Sequence, residues 1–163
     1  MRLVILGMGG YGRTIADLAE QSGRYDEILF LDDNAPEASG KCSDFGNLVN
    51  SGTEFYPAFG DNTVRLNWIE KLEEADANLV TLIHRTAYVS SKANIGKGTA
   101  VLPNASVGTN VRIGKGCIIN MNAVVDHDVM LEDGVHVCLG AVVKAGIIIK
   151  ERVKIEAGEV IKK

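Results

Sequence analysis

Two neighbouring residues, His127 and Asp128, carry the plainest chemistry in the chain. An imidazole titrates near neutrality and takes the proton from an amine or hydroxyl that is attacking an acyl carbon. A carboxylate beside it sets the tautomer and stabilises the imidazolium. On spacing alone, the pair reads equally as a solvated His–Asp pair. A second set lies near the N-terminus, where Gly7-Met8-Gly9-Gly10-Tyr11-Gly12 follows an apolar run. Glycines between a strand and a helix let backbone N–H groups approach a phosphate. Asp32 lies twenty residues beyond Gly12, the offset of the acid that meets a ribose hydroxyl in dinucleotide folds. By itself this set spells an NAD-dependent oxidoreductase; a tight strand–helix turn kept for packing is the plainer alternative.

The elements that must position these residues fall into two kinds. Arg2–Leu6, Glu27–Leu31, Phe55–Phe59 and Asn78–Ile83 read as strands. Tyr11–Ser22, stopped by Gly23, and a segment capped by Asp61 and running to about Asp76 read as helices. Asn34–Gly52 reads as a loop. The alternation predicts a small parallel α/β sheet, about half of a two-part dinucleotide domain.

From Val89 the period becomes six. Val89, Ile95, Val101, Val107, Ile113, Ile119, Val125, Leu131, Val137, Val143, Ile149, Ile155 and Ile161 recur without a slip. Four residues after each stands a small or apolar residue, until Glu159 breaks the series. No helix has a period of six. A triangular solenoid does, with three hexads per turn and each aliphatic stacked on its counterpart one turn along. Four turns at the strand spacing give a prism about 20 Å long.

Composition divides at the same place. All nine aromatic residues lie at or before Tyr88, and the following 75 residues have none but hold 22 Val and Ile. Disordered segments are poor in β-branched aliphatics, so the ring-free half is folded. The first 88 residues carry net −7 and the rest +3. No cluster is basic enough for a nucleic-acid surface. Cys42, Cys117 and Cys138 have no CxxC spacing, so neither a disulfide framework nor a metal site is expected. With no signal-peptide pattern and no apolar run of about 18 residues, no membrane association is expected, and the cytoplasm is the expected compartment.

The hexads resemble the hexapeptide-repeat acyltransferases, whose repeats wind into left-handed parallel β-helices. The order of the GxGGxG unit, Leu31-Asp32-Asp33, the linking LIHRTAYVS, VVDHDV and HVCLGA is similar to one subgroup of them. That subgroup comprises sialic acid O-acetyltransferases and N-acetyltransferases of nucleotide-linked 4-amino sugars of the bacillosamine pathway. The resemblance implies an α/β Rossmann-like domain over residues 1–84 and a β-helix over residues 85–163. It implies a homotrimer, with acetyl-CoA in the groove between neighbouring β-helices. His127 then acts as general base, oriented by Asp128. His136, Asn120 and Gly146 match residues beside the acyl donor. Gly9, Gly10, Tyr11, Asp32, Asp33, Gly60 and Asn62 match segments that contact the nucleotide sugar; relatives often carry His where this chain has Tyr11.

The implied reaction is acetyl-CoA-dependent N-acetylation of a nucleotide-linked amino sugar in bacterial surface-glycan synthesis. The alternatives are O-acetylation of sialic acid or a related sugar, and a scaffold with a shortened solenoid. Relatives usually continue for another coil or two, whereas Glu159 and Lys162-Lys163 here read as an early polar cap. The resemblance thus implies weaker CoA binding, or greater reliance on the neighbouring subunit.

Overall fold

The computed structural model describes residues 1–162. They divide into one unit of Met1–Val80 and a second that begins at Thr81. Lys163, part of the expected polar cap, lies outside the described residues.

In the first unit, β1 (Arg2–Leu6), β2 (Glu27–Leu31), β3 (Thr53–Pro57) and β4 (Asn78–Leu79) form a wholly parallel sheet in the order β2-β1-β3-β4. Helix α1 (Gly10–Ser22) follows β1, and α2 (Asn62–Glu74) follows β3. Gly23 ends α1 in the left-handed conformation, as a C-cap glycine does. Asp61 caps α2, its side chain accepting from the Val64 N–H at 2.9 Å. Gly12 has a steric reason: a Cβ there would lie 2.0 Å from the Gly7 carbonyl oxygen, so only glycine lets α1 start so close to β1. Val4, Leu6, Phe55, Leu66, Ile69 and Leu72 form the core, with Phe45, Trp68 and Phe59 packed against it in edge and stacked ring contacts.

Three details differ from the sequence reading, the first being that β3 spans Thr53–Pro57 and not Phe55–Phe59. Asn34–Gly52 contains a short 3-10 helix, Cys42–Leu48, held by backbone and side-chain bonds a propensity scan does not see. The run Asn78–Ile83 is two strands: the Val80 N–H bonds to Phe55 O, whereas the Leu82 N–H bonds to Thr99 O.

The second unit is a left-handed parallel β-helix of two-residue strands. Its first face carries Asn94–Ile95, Arg112–Ile113, Met130–Leu131 and Ile148–Ile149. The second carries Leu82–Ile83, Ala100–Val101, Ile118–Ile119, His136–Val137 and Lys154–Ile155. The third carries Tyr88–Val89, Ser106–Val107, Val124–Val125, Val142–Val143 and Val160–Ile161. Val101, Val107, Ile119, Val125, Val137 and Val143 fill the interior. Each such fully buried side chain contributes about 1.5–3 kcal/mol. One interior column is polar at its start: the side chains of Thr81, Thr99 and Cys117 donate to the carbonyls of Gly96, Gly114 and Glu132 at 3.0, 3.0 and 3.3 Å.

The corners repeat as strictly as the core. Every sixth residue from Gly98 to Gly158 has positive φ, and Gly or Asn fills each position except Asp128 and Arg152. Asp tolerates this conformation better than most residues. Glu159, which interrupts the small-residue column, is exposed, and its carboxylate accepts from the Glu156 N–H at 2.9 Å.

Candidate active site

On the β-helix, His127 and Asp128 occupy the corner between the third and first faces. Val125 points inward, so the residues that follow turn out to solvent; the two side chains are 59% and 55% exposed. The His127 Nδ1 lies 2.7 Å from Asp128 Oδ2. The other oxygen, Oδ1, accepts from Asn110 Nδ2 at 3.2 Å. Asn110 stands one coil before Asp128 in the same corner column. The backbone of His127 is equally constrained: its N–H donates to Asp126 Oδ1 at 2.7 Å, and its carbonyl accepts from the Gly146 N–H at 3.1 Å.

The hydrogen bond to Asp128, followed by the charge of Asp126, raises the pKa of His127 above its ordinary value. The pairing with His127, followed by the bond from Asn110, lowers that of Asp128. With Nδ1 directed at the carboxylate, Nε2 faces outward as the proton-accepting atom. Such a pair has the geometry that general-base chemistry requires.

Asn120 and His136 meet on the second face. The amide orientation follows from its bonds: Asn120 Oδ1 accepts from the Met121 N–H at 2.8 Å, which turns Nδ2 to His136 Nε2 at 3.1 Å. An amide NH2 only donates, so His136 Nε2 accepts and the ring proton sits on Nδ1. His136 begins a strand of the second face, whereas His127 lies half a coil away at a corner. A single chain does not bring the two histidines together. Gly146 lies in the same corner column as Asp128, and its N–H is already given to His127.

In the α/β unit, the expected sugar-nucleotide residues all lie at the carboxyl ends of β1, β2 and β3. Ligands of open parallel sheets bind at that edge. Gly9 is the N-cap of α1 without a side-chain cap, and both it and Gly10 are exposed. Asp32 fastens the loops, accepting from the N–H groups of Met8, Asn34 and Ala35 at 2.7, 2.8 and 3.0 Å. The same bonds lower its pKa, that from Met8 most. Asp33 accepts from the Cys42 N–H at 3.0 Å. The Tyr11 hydroxyl lies 2.6 Å from that of Tyr56, and burial followed by Tyr56 pushes its pKa well up.

Gly60 and Asn62 converge on a residue that the sequence reading missed. Arg65 is fully buried; its Nη1 donates to Phe59 O at 2.8 Å and its Nη2 to Asn62 Oδ1 at 2.7 Å. A signal was present: Arg65, Leu66, Ile69 and Leu72 share the buried face of α2, so a cation stood where the helical period calls for an apolar residue. Asn110 was legible too, eighteen residues before Asp128.

A small α/β unit joined to a left-handed β-helix with an oriented His–Asp pair at a corner defines the hexapeptide-repeat transferase class. Residues 2–72 match the PglD N-terminal domain, and residues 92–127 match the bacterial transferase hexapeptide (six repeats). The acetyltransferase domain of PglB from Neisseria gonorrhoeae FA1090 superposes with a TM-score of 0.94 at 32% identity, over 98% of this chain and 81% of that one. Its complex with acetyl coenzyme A gives 0.92 at 33%, over 98% and 80%. A variant of GDP-perosamine N-acetyltransferase from Caulobacter crescentus shares the fold, with a TM-score of 0.88 at 24% identity over 100% of this chain and 89% of that one. The UDP-N-acetylbacillosamine N-acetyltransferase of Bacillus subtilis (strain 168) is 31% identical over 109 residues, 61% of this chain. The chain spans half the length of that curated relative. The chain belongs to the PglD-type hexapeptide-repeat sugar N-acetyltransferases.

Proposed function

We propose that the protein transfers the acetyl group of acetyl-CoA to the amine of a nucleotide-linked amino sugar, with His127 as general base, in bacterial surface-glycan synthesis. The observation that carries this reading is the corner of His127, Asp128 and Asn110, in which Nδ1 is bound and Nε2 faces outward. The neutral amine of the sugar attacks the thioester carbonyl carbon while Nε2 takes its proton. The tetrahedral intermediate collapses with cleavage of the C–S bond, and the imidazolium returns the proton to the departing thiolate. The products are the amide and free CoA. Asp128 stabilises the imidazolium between the two steps.

The loops at the carboxyl ends of β1, β2 and β3 hold the nucleotide sugar in this reading, through Gly9, Gly10, Tyr11, Asp32, Asp33, Gly60 and Asn62. His136, Asn120 and Gly146 serve the acyl donor. The working assembly is a homotrimer. Two facts support it: His127 and His136 lie on different sides of one prism, and the third face presents an outward column in which Tyr88, Val124 and Val160 are exposed. A neighbouring prism set against such a face brings one subunit's corner to another's second face. The proposed compartment is the cytoplasm, in keeping with three buried cysteines that form no disulfide among the described residues. Among the described residues, no helix is long and apolar enough to cross a membrane.

The test is release of free thiol from acetyl-CoA with a panel of UDP-linked 4-amino sugars, followed by mass spectrometry. An acid-stable amide on the sugar supports the reading. A hydroxylamine-labile ester replaces it with O-acetylation, and absence of transfer to every acceptor overturns it.

A further inference from the structure

A groove of about 420 Å³ runs along the first face of the β-helix. Its floor is the outward ladder of Asn94, Arg112 and Met130, which pair across successive coils. Its wall is the corner column of Lys92, Asn110 and Asp128, each one coil above the last. The carboxylate that orients His127 is therefore part of the wall.

Charge is distributed unevenly here. Farther along the β-helix, Lys150, Arg152 and Lys154 each have a glutamate partner. Lys92 and Arg112 have none among the described residues, and Asp128, whose oxygens meet His127 and Asn110, forms an ion pair with neither. The Asn94 carboxamide is likewise uncommitted. Two cations and an amide facing one groove match a ligand with two adjacent negative charges.

We propose that Lys92 and Arg112 bind the diphosphate of the acceptor nucleotide. This deepens the proposed function, which leaves the rest of the nucleotide sugar to the loops of the α/β unit, and rests on it for the identity of the ligand. Chain length decides between the two substrates. In a nucleotide sugar, one pyranose ring separates the diphosphate from the reacting amine. In acetyl-CoA, the whole pantetheine arm separates the thioester from the nearest phosphate. A phosphate site walled by the carboxylate partner of the general base therefore fits the acceptor and not the donor. Arg112 supplies a two-pronged contact to phosphate oxygens and Lys92 a point charge.

Calorimetric titration with inorganic pyrophosphate, UDP and acetyl-CoA tests the assignment in wild type, Arg112→Lys and the double variant Lys92→Ala/Arg112→Ala. Both side chains are exposed, so melting of the variants stays that of wild type. Each charge-assisted contact is worth about tenfold in affinity, so the double variant loses about 100-fold for pyrophosphate and UDP. Arg112→Lys retains part of the affinity, and acetyl-CoA binding stays within about twofold of wild type in every variant, well short of one lost contact. Three results overturn the site: no pyrophosphate binding to wild type, equal binding to the double variant, or an equal loss for acetyl-CoA. Thiol release by wild type separates this site from the transferase reading. Pyrophosphate binding through the two cations without any acetyl transfer sinks the reaction and leaves the site. Transfer with an unchanged KM for the nucleotide sugar in the double variant does the reverse.

Discussion

Arg65 in the α/β unit has no exposed surface and holds the Phe59–Asn62 loop through two backbone carbonyls and an amide. His127 on the β-helix is more than half exposed, and one carboxylate and the backbone of its corner position it. The α/β unit thus builds its loops from the inside, by polar groups that cannot be removed without leaving others unsatisfied. The β-helix builds its corner from a backbone that repeats every coil, so the functional side chains can change while the frame stays. Chemistry and stability are separable on the β-helix and joined in the α/β unit.

The largest expected effect tests that separation. His127→Ala removes the proposed general base, and thiol release is expected to fall by about 100- to 10,000-fold. The ring is exposed and its backbone bonds survive in alanine, so the urea midpoint does not move. A stability loss accompanying the activity loss would break the contrast between the two regions.

Arg65→Met is the complementary experiment. It takes the Arg65 donor away from the part-buried Phe59 O and Asn62 Oδ1, at a cost of about 1–3 kcal/mol in urea unfolding. Where the variant remains folded, KM for the nucleotide sugar rises because the Gly60–Asn62 loop loses its anchor, while KM for acetyl-CoA holds. Arg65→Lys keeps the charge and one contact and recovers part of both losses.

The same contrast decides what was legible in the sequence. A repeat announces itself thirteen times, so the faces, the inward column and the outward turn at His127 followed from counting. The α/β elements were legible as a class, because strand and helix periods alternate. Their polar interior was not: nothing in the spacing of Asn62 and Arg65 tells a buried donor from a solvated one, and Asp32 looks the same in sequence whether it meets a ribose or three backbone N–H groups. The run Asn78–Ile83 was read as one strand because an apolar run does not reveal a change of partner between Val80 and Leu82.

A smaller effect is expected at Asp128. The aspartate holds the pKa of His127 above the ordinary histidine value. General-base catalysis needs the neutral imidazole, so activity in wild type falls as pH drops through that raised value. Asp128→Asn removes the charge and the carboxylate acceptor, and the pKa of His127 falls. The acidic limb of kcat/KM therefore moves to lower pH, while the plateau drops by about tenfold because the imidazolium loses its partner. A limb that stays in place would show that His127 is not the titrating base.

The smallest effect sharpens the comparison through one substitution made in both regions. A Cβ on Gly108 would lie 2.9 Å from the His127 N and 3.0 Å from the Asp126 carbonyl carbon, one coil away. A Cβ on Gly12 would lie 2.0 Å from Gly7 O. The atoms met at the β-helix corner are backbone and must shift, so Gly108→Ala costs about 1–2 kcal/mol, toward the lower end of overpacking. The displaced atoms belong to the proposed catalytic residue, so kcat is expected to fall several-fold (~3–10) through misplacement of that base, with both KM values unchanged. Gly12→Ala has no comparable relief, because helix and strand must separate, and its cost lies in stability, at about 3 kcal/mol. The two alanines should therefore differ in emphasis: the one beside His127 appears in kcat with the smaller loss of stability, and the one under α1 appears in the melting temperature.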